Sequence, residues 1–130
     1  RSTLMTPARW LILLGCIVLF CGAVMHLVGY HFLMPVIANA GLDGRVLGAI
    51  KSVWLAFSIQ FLVLSPAMVW ISRRPGARSL LFYVALIPMI DAILMYHFVG
   101  PFIGAHVIVG GTLLLLAGVW LLPRGHTPAQ

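Results

Sequence analysis

Asp91, His97 and His106 lie within PMIDAILMYHFVGPFIGAHVIVGG (88–111), a run otherwise apolar enough to sit in lipid. Asp91 is one of only two acidic residues in the chain, and His26 occupies a second such run. A carboxyl and an imidazole whose surroundings push their proton affinities apart can serve as general acid and base. Asp91 with His26 or His106 is therefore the candidate catalytic group, suited to proton-transfer chemistry of the isomerisation type. Lys51, Trp54, Ser58, Tyr30 and His97 are the candidate residues for holding a ligand. The sequence contains no HExxH, CxxC pair, phosphate loop or GxSxG, so no metal centre and no cofactor are expected from motifs.

Each of these residues also has a plainer role. Asp91 can orient helices as a hydrogen-bonded packing residue, and His26 and His106 can make interhelical hydrogen bonds. His31 and His97 fit the headgroup level, and Tyr30, Trp54, Trp70, Tyr96 and Trp120 fit an interfacial aromatic belt. Lys51 can act as an anchor that reaches to the interface. Asp91 resists such a reading most. An acid near mid-span costs about 2.5–3.5 kcal/mol on insertion scales and usually faces a cavity or a partner.

The elements that must position these groups follow from composition. Of the 130 residues, 62% are hydrophobic and 8% charged, against about 45–50% and about 25% in soluble domains. Such a chain cannot cover its apolar surface as a soluble sphere. Residues 1–130 read as one all-α transmembrane domain, an integral membrane four-helix bundle with spans at about 10–30, 49–71, 80–99 and 103–122. ISRRPGAR, VGPFIG and LLPRG close the last three spans. The first run is longer than a signal-peptide core and has no small-residue cleavage site.

The net charge of +6 does not imply nucleic acid, because the basic residues flank apolar runs and form no tract. Arg1, Arg9, Arg73, Arg74, Arg78 and Arg124 fall on one side, Arg45 and Lys51 on the other. Six against two places both termini in the cytoplasm, and the whole in a membrane, expected to be a bacterial inner membrane. Residues 31–47 then form an external loop, with MPVIANAGLDGRV as a short interfacial segment ending near Gly41. Cys16 and Cys21 share a span and point to different faces, so no bridge is expected.

Helical rise sets depth. At about 1.5 Å per residue, His26 lies about 8 Å below the outer boundary, Lys51, His97 and His106 about 5 Å, and Asp91 about 13 Å. Four of the five histidines thus belong to the outer half, and His126 to the tail. Gly15, Gly22 and Gly29 recur every seven residues and turn His26 toward the bundle. Lys51, Trp54, Ser58, Phe61 and Ser65 trace one stripe, with Gln60 on the opposite face and available for an oligomer contact. His106, Gly110 and Ala117 share a face, taken as the inner one. Asp91 stands one turn after Pro88, with Lys51, His26 and His106 as its expected partners.

A pocket in the outer half of the bundle for a small lipophilic molecule is the leading expectation. Two others stand beside it: His-ligated haem b, held by His26 with His106 or His97, and an accessory or anchor subunit of a membrane redox complex. A proton-coupled transporter fits less well, since the polar residues do not continue into the inner half. The lipid bilayer is one partner, and a homo-oligomer or a larger membrane complex another.

Span one, FLMPVIANAGL, RRPGARSLL and LLLLAGVWL together resemble the DoxX-like group of small four-helix membrane proteins. The resemblance covers most of the chain in layout. It implies a bacterial inner-membrane protein associated with redox complexes or quinone chemistry, and it carries no individual residue's role.

Overall fold

The computed structural model describes residues 6–123; Arg1, Arg124 and His126, assigned above to the cytoplasmic side, lie outside them. The chain forms four helices, α1 (Pro7–Ala38), α2 (Gly44–Ile71), α3 (Arg78–Phe98) and α4 (Ile103–Leu121). Each is long and apolar enough to cross a membrane, the architecture of a multi-pass membrane protein. The local starts and stops are chemical. Pro7 opens α1, where its missing N–H is no loss. Asp43 caps α2 by accepting from the Arg45 backbone N–H at 2.9 Å. Gly100, at φ 91°, makes the left-handed turn that folds α4 back on α3.

The expected external loop 31–47 is mostly helix. α1 continues through His31 and Pro35 to Ala38, and α2 begins at Gly44. Pro35 removes one backbone hydrogen bond, yet the surrounding HFLMPVIA has no glycine and keeps the remaining ladder. The stretch expected to lie at the interface is thus shared by the end of α1, the link 39–43 and the first residues of α2. At about 1.5 Å per residue, α1 is about 48 Å long and α4 about 28 Å, so the α1–α2 hairpin outreaches the α3–α4 hairpin.

α1 and α4 share the most extensive contact, followed by α1 with α2 and α3 with α4; α2 and α3 scarcely touch. The bundle is therefore closed on three sides and open along an α2–α3 seam. Glycines set the α1–α4 spacing. A Cβ on Gly15 would meet the Gly111 oxygen and the Leu115 nitrogen at 2.7 Å, and one on Gly118 would meet the Ala8 oxygen at 2.7 Å. Such close backbones gain dispersion contact that larger side chains would forbid. The core beside them holds Ile12, Leu19, Phe61, Met68, Leu81 and Leu115, all essentially buried. At the same end, the Arg74 guanidinium covers Trp70 at 4.4 Å and Arg78 lies over Trp120 at 5.2 Å. Basic and aromatic side chains thus form one belt there.

Candidate functional site

The helices that touch through Gly15, Gly111 and Gly118 separate toward the other end of the bundle. Gly22 meets only the Val107 side chain, at 3.2 Å from an added Cβ, and Gly29 only Trp54, at 3.6 Å. The space so opened is a cavity of about 640 Å³. Its inner wall includes His26, Trp54, Phe57, Phe61 and Met95. Gly22 on α1 also lines it, as do Met25 and Ile103, 68% and 78% exposed, which mark its outer edge, the mouth, between α1 and α4.

Among the described residues, His26 is the only nitrogen base on the cavity wall, and three contacts fix its ring. Nδ1 lies 2.8 Å from the Ser58 hydroxyl. The imidazole stacks on the Trp54 indole at 4.2 Å between centroids and 14° between planes. Phe57 tilts against it at 5.0 Å. The two helices are joined again where Trp54 Nε1 donates to the His26 backbone carbonyl at 2.8 Å. Ser58 donates its own proton to the Trp54 carbonyl one turn back, at 3.1 Å. With that proton on the carbonyl, the Nδ1–H tautomer of His26 would donate to Ser58, and Nε2 has no hydrogen-bond partner among the described residues. His26 thus places one imidazole in an otherwise mostly apolar lining.

Of the expected residues, the structure brings His26 and Trp54 to the cavity and puts Ser58, fully buried, directly behind them. The stripe from Trp54 through Ser58 and Phe61 to Ser65 faces inward as its spacing indicates. Lys51, Tyr30 and His97 do not line the cavity; His97 is exposed, with its ring edge-on to Phe98 at 4.6 Å.

Two placements correct the sequence reading. Asp91 is bound to none of its expected partners Lys51, His26 and His106. Gln60 Nε2 donates to Asp91 Oδ2 at 2.9 Å, across the α2–α3 seam and outside the cavity. Gln60 sits on the flank of its helix, and in a bundle that flank meets the neighbouring helix. His106 also faces outward, as do Gly110 and Ala117. It pairs with the Tyr96 hydroxyl across the α3–α4 turn. The inner face of α4 carries Ala105, Ile108, Gly111, Leu115 and Gly118 instead. A signal for that face existed: Gly104, Gly111 and Gly118 repeat at the same seven-residue interval as the glycines of α1.

Sequence reasoning also missed Phe57, Met95 and Ile103 as cavity wall, since an apolar residue in a span gives no sign of which way it points. Among the described residues, no three His, Cys, Asp or Glu side chains come together to hold a metal ion. No protein-family model, curated protein or solved structure matches the chain.

Proposed function

We propose that this chain binds one small lipophilic molecule, taken from the bilayer, in the cavity beside His26. A single observation carries the reading: a mostly apolar cavity of about 640 Å³ with the His26 imidazole on its wall. That volume falls in the range of about 300–1,000 Å³ typical of small-molecule sites, which are mostly apolar with a few placed polar groups. The ligand class follows from the wall. A largely hydrocarbon molecule with one hydroxyl or N–H can bury its body against Phe57, Phe61 and Met95 and donate to Nε2. With Arg9, Arg73, Arg74 and Arg78 on the side of the termini, the cavity belongs to the leaflet away from the cytoplasm.

The reading is one of binding. The acid–base chemistry expected of Asp91 has no carboxylate at this wall, since Asp91 is engaged with Gln60 at the seam. Haem b draws no support from the donor set either: His26 reaches the cavity alone, with His106 and His97 turned outward.

The test is extraction of small molecules retained through purification in mild detergent, identified by mass spectrometry, with an absorption spectrum of the same sample. Wild-type protein should carry one species enriched over bulk membrane lipid. His26→Leu and Gly22→Leu, at the wall and at the mouth, should each retain at least about ten-fold less, the scale of a lost buried hydrogen bond or a blocked site. An extract indistinguishable from the surrounding lipid, or equal retention by both variants, would defeat the proposal. A Soret band would replace it with haem.

A further inference from the structure

The α2–α3 seam has an unusual composition for a surface that meets lipid. Gln60 and Asp91 are both only partly buried there, and their 2.9 Å hydrogen bond is the one side-chain hydrogen bond between these helices among the described residues. The bond leaves capacity unused on both sides. A glutamine amide has two N–H donors and a carboxyl group two oxygens. One N–H of Gln60 and Oδ1 of Asp91 have no partner among the described residues. Hydrocarbon offers them none, and unsatisfied polar groups at that depth are costly.

The unused donor and the unused acceptor are complementary to each other. Within one chain Gln60 Nε2 is engaged by Asp91 Oδ2 and makes no hydrogen bond to Oδ1. Two copies related by a twofold axis can satisfy both, each Gln60 donating to Asp91 of the partner subunit. An isologous contact of this kind needs a patch that is its own complement, which a half-used donor–acceptor pair is. The surroundings permit close approach. Ala56 and Ala67 lie four residues before and seven after Gln60, on its face of α2, and small residues let helices pack closely in membranes. Val63 and, on α3, Ile87 and Leu94 are exposed beside the pair and supply apolar contact around it.

We infer that two copies of this chain pair along the α2–α3 seam, with their Gln60–Asp91 hydrogen bonds joined into a four-membered polar cluster at the twofold axis. The inference is independent of what the cavity binds.

The experiment uses the full chain in lipid vesicles, with Cys16 and Cys21 replaced by alanine and one cysteine introduced at a time. Ala56→Cys, beside Gln60, should be joined by a short bismaleimide into a product of twice the chain's 14.2 kDa. Leu113→Cys, exposed on α4, should not. Dilution into excess lipid, followed by energy transfer between labelled copies, should show dimerisation weakened about ten-fold in Gln60→Leu/Asp91→Leu, the scale for two interhelical hydrogen bonds lost together. Should that double variant not fold, Ala56→Leu, which leaves the polar pair intact and bars close approach, should weaken the dimer as well. The inference is overturned by a wild-type chain that stays monomeric at every protein-to-lipid ratio. Equal crosslinking at Leu113→Cys, or an Ala56→Cys product of another mass, overturns it too.

Discussion

His26 and Trp54 are tied to each other twice, backbone carbonyl to indole N–H at 2.8 Å and imidazole face to indole face at 4.2 Å. The double contact locks α1 to α2 at the point where α1 parts from α4, so the base on the cavity wall and the strut behind it form one unit. Trp54→Phe keeps a ring and deletes the N–H. It should cost about 1 kcal/mol of stability, the net worth of one hydrogen bond, and thermal unfolding in detergent measures it. Trp54→Ala removes ring and bond together and should cost about 3–5 kcal/mol.

Ser58 decides which nitrogen of His26 carries the proton. With the serine hydroxyl committed to the Trp54 carbonyl, the neutral ring should be the Nδ1–H tautomer. Nitrogen-15 chemical shifts of the imidazole report this directly. Ser58→Ala should turn a single tautomer into a mixture. A wild-type ring already protonated on Nε2 would refute the assignment.

The glycine contacts separate by position. Gly15→Ala and Gly118→Ala place a Cβ 2.7 Å from backbone atoms of the facing helix and should destabilise by about 2–3 kcal/mol, the upper range for overpacking. Gly110→Ala meets nothing within 4 Å and should stabilise by up to about 1 kcal/mol through helix propensity. Parallel melting curves of the three variants check the contrast.

The two cysteines should react differently. Cys16 is buried and Cys21 is exposed at the mouth of the cavity. A lipid-soluble maleimide should modify Cys21 and spare Cys16, read by intact mass. Filling the cavity with its ligand should slow the reaction at Cys21 about ten-fold, by occlusion of the mouth.

His106 and His26 should part company in any binding assay. His106 is exposed and paired with Tyr96 across the α3–α4 turn. His106→Ala should leave ligand retention within about two-fold of wild type and change stability by at most about 0.5 kcal/mol, the usual scale of a surface substitution. His26→Ala should abolish retention.

The four spans were legible because RRPGAR and VGP interrupt runs that are otherwise apolar, and the glycines 15, 22 and 29 marked the inner face of α1 correctly. The inner face of α4 was not legible from polarity. In lipid both faces of a helix are apolar, so the contrast that separates inside from outside in a soluble protein is missing. His106 with Gly110 and Ala117 therefore looked as inward as Gly111 and Gly118 do. The seven-residue repeat of Gly104, Gly111 and Gly118 was the one signal for the inner face, and closeness to the α1 backbone distinguishes it from the outer. Gln60 was legible only in part. Spacing showed that it left the Ser58 stripe, but not that Asp91 waited on the adjoining helix. The His26–Ser58–Trp54 unit was half legible: the inward stripe could be read, the stacking and the tautomer could not.

The unequal hairpins have a consequence for the membrane itself. Phe32 and Val36, 69% and 67% exposed, carry the apolar surface of α1 beyond the level at which α4 ends. A single molecule thus presents a tall hydrocarbon wall on one side and a short one on the other. Lipids that border both must tilt or stretch to match, at a cost of a fraction of a kcal/mol per Å. The line of strained acyl chains falls where α1 and α4 adjoin, at the mouth beside Met25 and Ile103. On the proposed binding role, a rigid lipophile that packs badly among such chains should gather along that line, beside the residues that edge the cavity.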